Sequence, residues 1–349
     1  MNNDAVSPLN YTQEALEHLD DMERAIYRSA PYSAHVIRNF ADMLKDSPKF
    51  ILTNCAEFIA PEEMRQTHLD LARLPYPVVT FEIPWVKEAA LEHYTDFPTR
   101  LSTKRIALCW ELNAAFEPVP GCNKVSHLYP GGGVFIVPIY WTDHDQRWHP
   151  CYGGTFFPHD NTMNKGSNFE NRPPASHIAL DAIKEAGLIK KGQNRHYRAE
   201  PFITLPEIAH QAELMMGSRE KLFADIILNT RDELYAFIGA CSILNCANVT
   251  IETLRPKDFA AKPVKGKKKP VGSKPRFTYK ILQISDEKNT YAGHDRSSTP
   301  GIPSKRMHLR RGHIRRLAER LIWVRPAIIN AGSHTGSVAK DYQVSTRLK

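Results

Sequence analysis

No stretch of this sequence approaches the ~18 consecutive apolar residues needed to cross a membrane. Its start, Met1-Asn2-Asn3-Asp4, is polar and acidic, unlike a secretory leader. Cysteine is sparse and scattered: Cys55, Cys109, Cys122, Cys151, Cys241 and Cys246 among 349 residues, with no Cys-x-x-Cys pair. That argues against a disulfide framework and for reduced thiols in a cytosol. The motifs of familiar chemistry are missing too. There is no dinucleotide fingerprint, nucleophile elbow or kinase signature. Gly131-Gly132-Gly133 has neither the Lys-Ser/Thr nor the following helix of a phosphate loop. Nor is there a paired-aromatic RNA-recognition motif, a Gly-x-x-Gly clamp, a zinc-finger spacing or an internal repeat.

Acidic residues are also short in one region. Arg255–Arg325 holds five Asp/Glu against 20 Lys/Arg, and residues 326–349 add a further +2. Since the whole chain is +8, residues 1–254 carry −9. An acidic body joined to a basic C-terminal quarter implies a polyanion site at one end.

The densest part is Lys305–Arg316, where Lys305, Arg306, Arg310, Arg311, Arg315 and Arg316 accompany His308 and His313. Such a run repels itself unless an anion lies against it, and the guanidinium fork matches phosphate oxygens. The apolar segments Leu321–Val324 and Ala327–Ile329 follow, which a disordered tail would not have. The pattern predicts a hairpin with the basic strand first and residues 317–320 as its connection. Gly312 would allow a close backbone or ligand approach.

Upstream, helical spacing predicts helices over Tyr11–Ser29, Ser33–Leu44, Pro61–Leu74, Ser176–Ala186, Pro206–Met216 and Arg219–Ile243, the last apolar enough to be buried. Strands are expected near residues 50–53, 77–83, 105–112, 133–141, 249–254, 277–284 and 338–348, and Pro138 suggests an edge or bulge. Residues 143–175 read as loop. The expected class is α+β, with helices packed on a mostly antiparallel sheet and a C-terminal β-hairpin unit. The expected divisions are an acidic α+β body (1–254), a basic linker or arm (255–275) and a basic β-rich C-terminal unit (276–349).

Three chemistries fit. In the first, the hairpin and the arm residues Lys267, Lys268 and Lys269 form a nucleic-acid surface, with Trp323, and with Phe277 and Tyr279 nearby, as stacking platforms. In the second, His308 and His313 act as base and acid in metal-independent RNA cleavage through the 2′-hydroxyl. In the third, the chain coats nucleic acid generally. His144, His149, Cys151 and His159, with Asp143 and Asp145, suggest zinc, but their spacing lacks the two tight pairs of a structural site, so no metal or other cofactor is assigned. Cys241 and Cys246 read as apolar fillers.

The run Lys305-Arg306-Met307-His308-Leu309-Arg310-Arg311-Gly312-His313, a short loop, Trp323, then Ala327-Ile328-Ile329-Asn330-Ala331-Gly332, resembles the C-terminal signature of a bacteriophage family. That family includes an anti-CRISPR protein directed against the type V-A effector nuclease. The signature covers under a tenth of the chain, and the upstream likeness is one of element order. Two departures stand out: Ile314 where the family often has an aromatic, and a short 317–320 loop.

The resemblance implies a protein of the host bacterial cytoplasm that lowers expression of a defence gene, through message loss coupled to recognition of a nascent peptide. Its partners would be mRNA or ribosomal RNA and the translating ribosome, with no membrane. The basic hairpin would contact RNA and the acidic body would hold the peptide. The expectation is a binding protein rather than an enzyme.

Overall fold

The computed structural model describes residues 8–56, 58–59, 63–86, 94–97, 101–165, 173–189, 195–256, 276–284, 308–310, 313–324 and 327–329. Its centre is a nine-stranded mixed sheet, and the class is α+β. Strands β1 (Lys49–Ile51), β2 (Val78–Pro84), β3 (Lys104–Glu111), β4 (Gly133–Thr142), β5 (Arg147–Pro150) and β6 (Gly153–Pro158) come from the first half. A small two-stranded pair, β7 (Asn164–Lys165) with β8 (Arg195–His196), stands apart from it. β9 (Glu200–Ile203), β10 (Val249–Leu254) and β11 (Tyr279–Ile284) complete the sheet. Its order is β10-β11-β1-β2-β3-β4-β6-β9, with β5 also on β4; β1 runs parallel to β2 and β11, and the other pairings are antiparallel.

Both faces of this sheet are covered. Helices α1 (Tyr11–Ile26) and α2 (Pro31–Asp46) bring Leu19, Ile37, Phe40 and Leu44 against Leu108, Trp110 and Val137. On the other face lies α6 (Arg219–Leu244), which buries Phe237, Ile238 and Cys241 among Phe81, Cys109, Ile136 and Phe157. Helices α3 (Gln66–Leu71), α4 (Pro174–Glu185) and α5 (Pro206–Met216) flank α6. Double coverage explains why β3 and β4 read as continuous apolar runs: successive side chains point to opposite faces, and each face is core.

Residues 143–165 depart from the loop reading, for they contain β5, β6 and β7. Turn-like Gly153-Gly154 is the misleading signal. A Cβ on Gly154 would lie 2.8 Å from the Ile136 carbonyl oxygen, so glycine permits close strand approach here. Pro138 lies on an interior strand, not an edge. β4 pairs with β6 up to Ile136 and with β5 from Ile139, so the missing N–H falls where the neighbour changes. There the Cys151 N–H donates to the Pro138 carbonyl at 2.9 Å. α3 is shorter than expected, and the 338–348 strand lies outside the described residues.

The first strand after the basic 257–275 stretch, β11, belongs to the main sheet between β10 and β1. Glu82 on β2 shows how tightly the layers are joined. Its buried carboxylate accepts the Tyr11 and Thr12 N–H groups at 3.2 and 2.9 Å, satisfying orphan donors at the start of α1. Burial pushes its pKa up despite those bonds.

Candidate nucleic-acid interface

The basic segment forms antiparallel strand pairs. β12 (His308–Arg310) pairs with β15 (Ala327–Ile329), and β13 (His313–Arg316) with β14 (Leu321–Val324). The Leu317 N–H donates to the Arg320 carbonyl at 2.8 Å, closing the turn over 317–320. Ile314 lies opposite Trp323 and packs half-buried on the core, while Arg315 and Arg316 are exposed.

The hairpin is fastened to the body by its second strand. Trp323 is 5% exposed and belongs to the core beneath α6. The buried side chain of Asn248 accepts the Trp323 N–H and donates to the Trp323 carbonyl, both at 2.8 Å. It thereby supplies the two bonds a neighbouring strand would give. The Ala247 N–H adds a 2.9 Å bond to the Leu321 carbonyl. One residue past α6, Asn245 donates to the Leu71, Arg73 and Cys241 carbonyls at 2.9, 3.0 and 3.0 Å, holding the anchor point against α3. Burial pushes the Cys246 thiol up to about 11, leaving it a packing group rather than a nucleophile.

The expectation that Trp323 stacks on a base is corrected. An indole enclosed in the core presents no face to a nucleic acid, and its role is to seat the basic strand. Tyr279 is likewise fully buried, and the Phe277 ring carries the Lys49 ammonium 4.2 Å from its centroid. Of the other candidates, His308, Arg310 and His313 are placed through their backbones, opposite Ile329, Ala327 and Val324. Lys305, Arg306, Arg311, Lys267, Lys268 and Lys269 lie outside the described residues. Asn248 was missed because an Asn shortly after a long helix reads only as a stop signal.

The loosely spaced His and Cys residues do not converge. His149 pairs with Asp145 at 2.8 Å, Cys151 is enclosed, and the His159 carbonyl accepts from Arg73 at 2.8 Å. Among the described residues no group of three or more His, Cys, Asp or Glu side chains is placed to hold a metal ion. None of the described helices is long and apolar enough to cross a membrane.

Compared with known proteins, the chain matches no family model, and neither a curated protein nor a solved structure shows significant similarity to it.

Proposed function

We propose that this chain binds RNA through its C-terminal basic hairpin and acts on a translating complex without chemistry of its own. The observation that carries the reading is that exposed Arg315 and Arg316 lie on β13, which pairs along its length with β14, the strand that Trp323 and Asn248 anchor to the body. Cations held on a rigid strand meet phosphates with little ordering cost at binding, unlike cations on a solvated tail. The family resemblance extends this to a biological role: lowering expression of a host defence gene in phage-infected bacteria, through loss of its message coupled to recognition of the nascent peptide.

The test is RNA affinity against salt concentration, wild type beside Arg315→Glu with Arg316→Glu. The expected result is a loss above tenfold and a shallower salt slope, by roughly 0.7–0.9 for each phosphate contact removed. Equal affinity and slope would remove the hairpin from the interface. Ribosome co-sedimentation of the same pair tests the translational part, and unchanged co-sedimentation counts against it. Incubation with labelled RNA in chelator separates binding from cleavage by His308 and His313.

A further inference from the structure

A groove of about 640 Å³ opens between the C-terminal half of α2, the start of β2 and the loop after β3. Its floor and walls are largely apolar and include Met43, Tyr76 and Phe116; Asp42, Asp46 and Glu117 supply its charge. Asp46 ends α2, where the helix dipole already concentrates negative potential and cations are the favoured residues, and Asp42 lies one turn before it. That is a local cost to the helix, and it leaves the groove with three carboxylates in its lining and no lysine or arginine among the lining residues.

The compensating contacts within the chain are slight. Asp42 meets Lys45 at 3.3 Å, but both side chains are about half exposed, so the pair is weak. Lys49, the buried lysine beside the groove, feels the Glu82 and Asp46 carboxylates, but its ammonium hydrogen-bonds the Lys45 and Ser47 carbonyls, both at 2.7 Å, rather than a groove carboxylate. The groove's second wall is fixed, because Asn123 donates through its side chain to the Asn113 and Phe116 carbonyls and through its N–H to Glu117. One cation of this chain already uses the aromatic wall: the Lys280 ammonium lies 5.2 Å from the Tyr76 ring centroid.

We infer that the groove is a docking surface for the basic hairpin of a second copy of this chain. The argument is charge complementarity. The chain divides into a −9 body and a C-terminal quarter in large positive excess, and the hairpin presents Arg315 and Arg316 on a fixed strand. None of the described hairpin residues lines the groove of its own chain. Two different surfaces meet, so the contact is head-to-tail, and each added copy offers a new groove and a new hairpin. Because the same arginines serve the RNA reading above, RNA and self-association compete for the hairpin. The inference does not need that reading to hold, since association is measured with no RNA present.

The experiment is sedimentation velocity of the full chain across protein concentration, at about 0.05 M and about 0.5 M salt, over which the screening length shrinks roughly threefold. Wild type is expected to show mass rising with concentration at low salt and not at high salt. Arg315→Glu with Arg316→Glu, and separately Asp42→Lys with Asp46→Lys, are each expected to weaken association at least tenfold. Mixing the two variants restores it, because each then meets a groove or hairpin of opposite sign. The mixing arm also answers misfolding, since an unfolded variant would not be rescued. A monomer at every concentration overturns the inference, as does a groove filled within its own chain, which would show no concentration dependence. Association that survives either reversal, or no restoration on mixing, overturns it too. RNA binding lost with Arg315→Glu and Arg316→Glu but retained with Asp42→Lys and Asp46→Lys would leave the RNA reading standing whatever the association result.

Discussion

Replacing Trp323 by alanine tests whether the hairpin is built on the core or merely rests beside it. A buried tryptophan removes about 150–250 Å² from water. At about 25 cal/mol per Å² that corresponds to roughly 4–6 kcal/mol, and large aromatic truncations in cores cost about 3–5 kcal/mol. With Trp323 at 5% exposure, the expected loss lies in the same range, and it falls first on the hairpin. Ile314 loses its cross-strand partner, and only the Asn248 and Ala247 backbone bonds are left to hold β14 to the body. Hydrogen exchange at the Ile314–Arg316 and Ile322–Val324 amides, with urea unfolding of the whole chain, separates local release from global destabilisation. Trp323→Phe keeps part of the ring burial and is expected to lose less than half as much. RNA affinity of Trp323→Ala should fall through the cost of ordering the loosened strand, with the salt slope preserved, whereas arginine reversal lowers the slope itself. A stability change under about 1 kcal/mol with unaltered amide exchange would refute the anchoring argument.

Asn248→Ala leaves the buried Trp323 N–H and carbonyl without partners, at about 1–3 kcal/mol each. It should be non-additive with Trp323→Ala in a denaturation double-mutant cycle, since the indole and the Asn248 bonds to the Trp323 backbone hold the same strand to the body. Glu233, fully buried, is pushed up to about 7 by burial despite Arg105 at 3.2 Å. Its protonated form therefore stabilises the fold fully below the ordinary carboxylate pKa, and that contribution is lost as pH rises through 7. Glu233→Gln should gain stability on wild type by about 1–3 kcal/mol more at pH 8 than at pH 5 in urea titrations, and a gap constant with pH would refute this. His68, whose Nδ1 accepts the Arg65 N–H at 2.9 Å, is driven down to about 4, chiefly by burial. Its neutral form contributes stability above the ordinary imidazole pKa, and this is lost as pH falls through 4. An NMR titration should find the ring uncharged at pH 5, and a midpoint above 6 would contradict its burial.

The helices show how far local pattern reaches. The spacing of Ala15, Leu19 and Met22, and the apolar breadth of α6, follow from one turn of helix packing against any apolar surface, so they are visible without knowing which surface. The strands at 78–84, 104–111 and 133–142 were visible for the same reason. β6 was not, because Gly153 and Gly154 carry no side-chain pattern and are explained only by the neighbours that crowd them. At the candidate interface, the charge of residues 305–316 was plain, whereas Trp323 was misread. An apolar strand beside a basic one looks the same whether its tryptophan faces a nucleic acid or the underside of α6.

By itself, the sequence determined the α+β class, the long buried helix, the split between an acidic body and a basic C-terminal quarter, and the existence of a basic strand followed by apolar ones. Periodicity and charge are properties of neighbouring residues, and they survive any folding of the rest. Only the tertiary structure decided that the sheet is covered on both faces, that β1 runs parallel between β2 and β11, and that Asn248 holds Trp323. It alone brought the carboxylates at the end of α2 together with a loop some 70 residues away into one groove. Each of these depends on which distant segments become neighbours. That choice is made by burial and hydrogen-bond satisfaction over the whole chain, and it leaves no mark at the residues' own positions.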